Sequence, residues 1–239
     1  SSDVCSSDLL ALAELSATGN VLILAGDTPL LRSETLSEFI NAHQTNKNVA
    51  SVLTAELPDP SGYGRIVRGE DGEIVAIVEE RDASDELKAI DEINTGVYIF
   101  DIATLKTSVQ KLNKNNSQGE LYLTDVIAQI KSEGGKSAAI LSLDYTETLG
   151  INDRSQLAES AAIMRDRIND RHMRAGVTIV DPTTTWIDTT VEIQNDVTIY
   201  PGTWLRGNTV IASGAVIGPR STLKDVKVGA DTSIVESQV

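Results

Sequence analysis

An aspartate at the carboxyl end of an apolar run is the first residue whose position could support chemistry. Residues 21–24, VLIL, form a continuous apolar run that suits a strand buried on both faces of a parallel sheet. Gly26 and Asp27 follow it, at the edge where ligands of open α/β sheets bind. A carboxylate there can hold Mg²⁺, which prefers oxygen ligands and bridges to substrate phosphates. A turn aspartate that bonds its own backbone gives the same pattern, so both interpretations stay open.

Glycines and acidic residues further along the chain form a second set of candidates. Gly62 and Gly64 flank an aromatic residue in the segment 62–65, GYGR, and such glycines let the backbone approach a flat ligand closely. The alternative is a glycine-rich start of a hairpin in which Arg65 is a surface charge. Glu79 and Glu80 end that hairpin; they could bind sugar hydroxyls or form a solvated edge.

Two asparagines complete the candidates for ligand or metal binding. Asn94 begins a predicted strand, where it could contact a ligand or only form a turn. Asn152 could supply an oxygen ligand to a metal, or cap the helix that follows. The sequence has two histidines, far apart on predicted helices, and shows neither a zinc-ligand cluster nor a nucleophile–base pair.

The composition sets limits on what these residues can do. Hydrophobic residues make up 41% of the 239 residues and charged residues 23%, which is typical of a globular protein and argues against disorder. The net charge of −15 makes the chain a poor candidate for nucleic-acid binding. No apolar run approaches the roughly 20 residues of a membrane-spanning helix, and no secretory signal is evident. We therefore expect a cytoplasmic protein without nucleic-acid or membrane partners.

The first part of the chain alternates predicted strands and helices, which indicates an α/β sheet. Ser33 is predicted to cap a helix whose inward face carries Leu36, Phe39, Ile40 and His43. Further predicted elements are the end of a helix at 10–15, a strand at 49–54, a hairpin of 65–67 and 74–78 around Asp71-Gly72, a strand at 93–100, a helix with the stripe Leu123, Val126, Ile127 and Ile130, and a helix from Asn152 or Asp153 to about Arg174.

From Trp186 onward the periodicity changes to six. Apolar residues recur at Ile187, Ile193, Ile199, Leu205, Ile211, Ile217 and Leu223, and small or β-branched residues precede most of them by two positions: Val191, Val197, Thr203, Thr209, Ala215 and Ser221. A period of six fits neither a helix nor a simple strand. It predicts a hexapeptide β-helix of about three coils. The spacing slips to five before Val228, which indicates an adjusted corner.

The order of these signals resembles one family. Residues 21–31, VLILAGDTPLL, are similar to the metal-binding strand end of sugar-1-phosphate nucleotidyltransferases, and residues 62–67, 77–80 and 92–96 follow in that family's order. The segment 115–125, NNSQGELYLTD, is the most diagnostic. With the hexapeptide coils, residues 10–239 resemble the bacterial bifunctional enzymes that join N-acetylglucosamine-1-phosphate uridyltransferase to glucosamine-1-phosphate N-acetyltransferase.

The resemblance implies a reaction and a set of site residues. Asp27 and Asn152 match the magnesium ligands of the family. Gly64 matches a glycine whose backbone contacts the sugar nucleotide. Glu79 and Asn94 match residues that hydrogen-bond the N-acetylglucosamine. Gly26, beside Asp27, is counted with the substrate-binding residues. The implied reaction converts UTP and N-acetylglucosamine-1-phosphate into UDP-N-acetylglucosamine and pyrophosphate. The second implied activity acetylates glucosamine-1-phosphate with acetyl-CoA, and both serve cell-wall precursor synthesis in a homotrimer.

The resemblance also divides the chain. We expect a non-native remnant at 1–9, a partial Rossmann-like nucleotidyltransferase domain at 10–152, a connector helix at 153–176 and the start of a left-handed parallel β-helix at 177–239. The family's glycine-rich triphosphate loop and acetyl-transfer coils have no counterpart here, so no catalytic residue is assigned and the fragment alone is expected to lack full activity. Ala25 stands where many family members have Tyr.

Two other functions remain open. One is another sugar-1-phosphate nucleotidyltransferase with a β-helix tail, which makes ADP-glucose, GDP-mannose or dTDP-glucose. The other is a non-catalytic, nucleotidyltransferase-like regulatory subunit.

Overall fold

A computed structural model describes residues 18–112 and 121–239. The helix end predicted at 10–15, the segment 1–9 and most of the segment 115–125 lie outside these residues. The chain divides into two compact units; the first ends at Asp153 and the second runs from Arg154 to Val239. Within the described part of the chain, no helix is long and apolar enough to cross a membrane.

A mixed sheet forms the centre of the first unit. Its described strands follow the order β4-β3-β5-β2-β6, with β1 also paired to β5, and within this sheet only β2 and β6 pair in parallel. The strands are β1 (Asn20–Ile23), β2 (Ala50–Glu56), β3 (Arg65–Arg68), β4 (Ile74–Val78), β5 (Glu92–Asp101) and β6 (Ser137–Leu141).

The apolar run 21–24 forms a strand, but its predicted surroundings are wrong. Strand β1 pairs antiparallel with β5, with Val21 opposite Phe100, and Val21, Leu22 and Ile23 are only partly buried. An apolar run indicates burial without specifying the direction of the neighbouring strand, and β5 is long enough, at ten residues, to pair with three strands.

Helices cover both faces of this sheet. They are α1 (Ser33–Thr45), α2 (Asp85–Lys88), α3 (Ile102–Val109) and α4 (Asp125–Ser132). Side chains alternate along a strand, so Val97 and Ile99 of β5 pack in the cluster that contains Phe39 of α1. Tyr98 and Phe100 pack on the other face in the cluster that contains α4. The predicted apolar face of α1 and the stripe of α4 are therefore confirmed.

The predicted N-cap of α1 is wrong. Ser33 is the first helical residue, Arg32 occupies the cap position, and no side chain of the cap residue bonds the first turn. The hairpin around Asp71-Gly72 is confirmed: β3 and β4 pair antiparallel, and Gly72 has a φ of 79°, which glycine adopts without strain.

The second unit consists of α5 (Arg154–Arg174) and a parallel β-helix. Its strands are β7 (Thr178–Ile179), β8 (Trp186–Ile187), β9 (Glu192–Ile193), β10 (Thr198–Ile199), β11 (Trp204–Arg206), β12 (Val210–Ile211), β13 (Val216–Ile217), β14 (Thr222–Lys224), β15 (Lys227–Val228) and β16 (Ser233–Ile234). They form three parallel sheets. Ile168 of α5 packs against the core of the coils.

Each coil consists of three short strands, one in each of the three sheets. Successive strands begin about six residues apart along the chain, and this spacing produces the period of six. Ile199, Leu205, Ile211, Ile217 and Leu223 are fully buried, and so are the small residues two positions before them. Leu205 lies beside Leu223, whereas Ile211 lies beside Val228. The coil is therefore one residue shorter after Leu223, at a corner where Asp225 has a φ of 55°. The predicted hexapeptide β-helix is confirmed, and its coils are consistent with left-handed winding.

Candidate functional site

Two loops of the first unit bring Asp27 and Asn152 together. The backbone N–H of Ile151 donates to the carbonyl oxygen of Asp27 at 2.9 Å. Gly150 has no side chain, and a Cβ placed there would lie 3.7 Å from Asp27 Oδ2 and 3.9 Å from Asn152 Nδ2. Both side chains therefore border the same small space beside Gly150, and their role as a metal pair stays a prediction.

The chemistry of this pair suits a hard cation. Asp27 Oδ1 is buried and has no hydrogen-bond partner among the described residues, which is costly for a carboxylate unless a ligand satisfies it. The amide of Asn152 carries one oxygen acceptor, and a half-turn of the amide exchanges that oxygen with Nδ2. The described residues include no group of three His, Cys, Asp or Glu side chains that could hold a metal. Mg²⁺ commonly takes only one or two protein ligands and completes its shell with water and phosphates, so two oxygens fit it.

A second cluster surrounds Gly64. A Cβ on Gly64 would lie 3.3 Å from both carboxylate oxygens of Glu79. The backbone N–H of Asn94 donates to the carbonyl oxygen of Gly64 at 2.8 Å. Gly64, Glu79 and Asn94, three of the predicted substrate-binding residues, are therefore neighbours.

The side chain of Asn94 is held in place by strand β5. Asn94 is buried, and its Oδ1 accepts from the backbone N–H of Gly96 at 3.1 Å and from the Tyr98 hydroxyl at 2.8 Å. Both bonds use the amide oxygen, so the orientation of the NH₂ group is fixed. Tyr98 received no role from the sequence, although its spacing of four from Asn94 places both on one face of a strand.

Tyr63 connects the two clusters. Its hydroxyl accepts a hydrogen bond from the N–H of Gly150 at 3.3 Å, and its ring packs with Leu149 beside Leu57 and Ile93. The aromatic residue between the glycines therefore links the Gly64 cluster to the Asp27–Asn152 pair.

The interpretation of Arg65 as a surface charge is wrong. Its side chain is almost completely buried and forms an ion pair with Glu80 at 2.8 Å. It also donates to the carbonyl oxygen of Tyr63. A buried guanidinium requires such partners, and here they fix the backbone of the glycine segment.

The sequence is similar to known proteins over most of its length. Residues 7–190 match the family described as Nucleotidyl transferase. The chain belongs to this nucleotidyl transferase family.

Several relatives of this chain carry the name "Bifunctional protein GlmU". The one from Paenarthrobacter aurescens is 46% identical over 94% of this chain and 45% of its own length. Those from Streptomyces avermitilis and Mycolicibacterium vanbaalenii are each 48% identical, over 94% and 92% of this chain and 47% and 45% of their own lengths. The chain thus spans about half the length of these curated relatives. The resemblance to the bifunctional family is confirmed.

One solved structure supports the fold of the chain. A putative glucose-1-phosphate thymidylyltransferase from Bacillus anthracis, in complex with sucrose, superimposes with a TM-score of 0.50 over 69% of this chain and 63% of its own. At 19% identity, the similarity shows the fold alone.

The other residues singled out from the sequence lie outside these two clusters or outside the described part of the chain. Gly26 is exposed, with open space around the position of a Cβ. Of the diagnostic segment, only residues 121–125 are described. There, burial and the nearby Asp82 raise the pKa of Asp125. His43 and His172 are buried, and burial lowers the pKa of each.

Glu147, to which the sequence pattern assigns no role, is a further buried carboxylate near the candidate site. This residue is 3% exposed and lies in the 3₁₀ turn Tyr145–Thr148. Its carboxylate accepts from the backbone N–H of Arg32 at 3.2 Å and from the Thr35 hydroxyl at 2.6 Å, and it pairs with the Arg32 guanidinium at 2.7 Å. Only its position shortly before Asn152 could have drawn attention to it.

Proposed function

We propose that the whole protein is a cytoplasmic enzyme that makes UDP-N-acetylglucosamine and pyrophosphate from UTP and N-acetylglucosamine-1-phosphate. The observation that carries the proposal is the juxtaposition of the Asp27–Asn152 pair with the cluster of Gly64, Glu79 and Asn94 through Tyr63. A sugar-phosphate transferase needs a cation site and a sugar site next to each other, because the reacting phosphate joins the two.

The residues divide into two roles in this proposal. Asp27 and Asn152 would hold Mg²⁺, which when bound supplies charge neutralisation at the phosphate oxygens. Glu79 and Asn94 would orient the N-acetylglucosamine by hydrogen bonds to its hydroxyl and acetamido groups. Gly64 leaves room for the ligand to approach the backbone. The sugar phosphate then attacks the α-phosphorus of UTP in line, the bond to the β-phosphate oxygen breaks, and pyrophosphate leaves.

The β-helix supports a second part of the proposal. The relatives of this chain are named bifunctional, and we propose that the whole protein also acetylates glucosamine-1-phosphate with acetyl-CoA, as a homotrimer. Release of free CoA thiol in the presence of glucosamine-1-phosphate would test the activity, and light scattering would test the trimer. CoA release that is no faster than without glucosamine-1-phosphate would overturn the acetyltransferase activity. A mass of one chain in light scattering would overturn the trimer.

A panel of substrates tests the uridyl transfer. The whole protein is assayed for pyrophosphate release with UTP, ATP, GTP and dTTP, each with N-acetylglucosamine-1-phosphate, glucose-1-phosphate or mannose-1-phosphate. We expect the pair of UTP and N-acetylglucosamine-1-phosphate to exceed all others by about 100-fold in kcat/KM, since the loss of a hydrogen-bonded substrate group from a polar pocket costs at least that much.

Two outcomes would overturn the proposal. Preference for another pair would favour a nucleotidyltransferase that makes ADP-glucose, GDP-mannose or dTDP-glucose. No pyrophosphate release from any pair would favour a non-catalytic regulatory subunit. The unpartnered Oδ1 of Asp27 speaks against the latter, since a module without a ligand gains nothing from a buried carboxylate oxygen. As a control, Glu133→Gln, which changes only a surface ion pair, should keep the substrate preference of the wild type.

A further inference from the structure

Helix α1 depends on a carboxylate from a distant part of the chain. Its N-cap residue, Arg32, makes no side-chain hydrogen bond to the first turn, and helix starts leave several backbone N–H groups without intrahelical partners. Glu147 supplies the missing acceptor: its Oε2 accepts from the Arg32 N–H and from the Thr35 hydroxyl. A negative charge at this end of the helix is also favourable because of the helix dipole.

Arg32, Thr35 and Glu147 form a group that we call the carboxylate latch, because the Glu147 carboxylate bonds the other two residues. Arg32 follows Asp27 by five residues, and Glu147 precedes Asn152 by five. The latch therefore joins the far ends of the two segments that carry the proposed metal donors. The near ends are joined by the hydrogen bond from Ile151 to Asp27. The two cross-links therefore hold the segments 27–32 and 147–151 together at both ends and leave them little freedom to separate, and Asn152 directly follows the second segment.

The carboxylate side of the latch is buried. The Glu147 side chain is 4% exposed, whereas the Arg32 side chain is 47% exposed and bonds both Glu147 and Asp144 with one guanidinium. The bonds that the buried carboxylate accepts from the Arg32 N–H and the Thr35 hydroxyl are charge-assisted, and such bonds are stronger than those between neutral groups.

We propose that Glu147 is a positioning residue that sets the separation of Asp27 and Asn152, and through it the affinity for the divalent cation. This inference rests on the proposed function, because it assumes that the pair binds Mg²⁺. The atoms nearest a Cβ on Gly150 belong to Asp27 and Asn152 rather than to Glu147, so Glu147 would act through its contacts with the segment of Asp27. Residues that orient metal ligands in this way commonly change metal affinity by 10-fold or more.

The test measures metal binding directly, with Mn²⁺ as a paramagnetic probe followed by electron paramagnetic resonance on the whole protein. We expect Glu147→Gln to raise the dissociation constant for Mn²⁺ about 10-fold, and Thr35→Val, which removes only the hydroxyl bond, to raise it by a smaller factor. The Mg²⁺ concentration for half-maximal rate should rise in parallel, while kcat at saturating Mg²⁺ changes little. Glu133→Gln is the matched surface control.

The outcomes separate the inference from the proposed function. If the wild-type protein binds no Mn²⁺, or Asp27→Asn binds it as tightly as wild type, the metal site itself is disproved. If Asp27→Asn loses Mn²⁺ while Glu147→Gln and Thr35→Val bind it with wild-type affinity, Glu147 has only a structural role and the inference falls. Should Glu147→Gln fail to fold, Thr35→Val alone decides between these results.

Discussion

The backbone N–H of Ile151 donates to the carbonyl oxygen of Asp27 at 2.9 Å, although the two residues lie at opposite ends of the first unit's sequence. This bond aligns the segment after β1 with the segment before α5, and the side chains of Asp27 and Asn152 border one space beside Gly150. The site therefore depends on a backbone contact as well as on its side chains.

Asp27→Asn should separate function from stability. The wild-type Oδ1 is buried without a described partner, so removing the carboxylate charge should leave the melting temperature in metal-free buffer unchanged or slightly higher. Thermal scans with and without Mg²⁺ and UDP-N-acetylglucosamine should show that the ligand-dependent rise in melting temperature is lost. A variant that is stabilised by Mg²⁺ as much as wild type would contradict the assignment of Asp27.

Gly64→Ala should weaken sugar-nucleotide binding without unfolding the protein. The new methyl group would lie 3.3 Å from both oxygens of Glu79, so the carboxylate must move by a few tenths of an ångström. Because Gly64 is not among the positive-φ residues, the backbone accepts alanine. We expect about a 10-fold loss of affinity for UDP-N-acetylglucosamine by calorimetry.

Gly229→Ala is the matched control for Gly64→Ala. Its methyl group would meet only the Thr232 hydroxyl, at an ordinary 3.6 Å. Equal losses of affinity in both variants would refute the steric argument.

Arg65→Met should destabilise the first unit. It removes a buried guanidinium from its ion pair with Glu80, whose own side chain is 31% exposed, and from the carbonyl of Tyr63. Breaking such a pair leaves polar groups without partners, and we expect a loss of about 2–4 kcal/mol in the free energy of unfolding by urea titration. Lys111→Gln, at an exposed ion pair, should cost no more than about 1 kcal/mol in the same titration. Comparable effects of the two substitutions would show that Arg65 is solvated after all.

The stability of the first unit should fall on acidification because of His43. Its Nδ1 lies 2.9 Å from the Ser51 hydroxyl, and burial lowers the pKa of the imidazole below its usual 6.5, against the opposing influence of Asp101. A group that is harder to protonate when folded binds more protons in the unfolded state, so stability decreases as the pH falls below 6.5 and levels off below the folded pKa.

Urea titrations of the wild type and His43→Gln at pH 7.5 and 5.5 would measure this effect. The variant should lose less stability between the two pH values than the wild type does. Equal losses would assign the acid sensitivity to other groups, among them His172, whose pKa is also lowered by burial.

The sequence by itself determined the β-helix. Each coil repeats the same inward positions, so the period of six along the chain already specifies which residues are buried, from Ile187 to Leu223. Even the shortened coil before Val228 was visible as a change in spacing. In the first unit, local patterns likewise determined the hairpin around Gly72 and the inward faces of α1 and α4, because those features depend on neighbours within one or two turns.

Only the tertiary structure decided the relationships between distant segments. The direction of β1 against β5, the burial of Arg65 against Glu80, and the bond of Glu147 to the start of α1 all join residues whose local sequence carries no trace of the partner. The motif order named Asp27, Gly64, Glu79, Asn94 and Asn152 as candidates, but their proximity follows from the Ile151–Asp27 and Gly150–Tyr63 hydrogen bonds. Periodicity reports how a residue faces its own element, whereas a site is formed by contacts between elements, and these are fixed only when the chain folds.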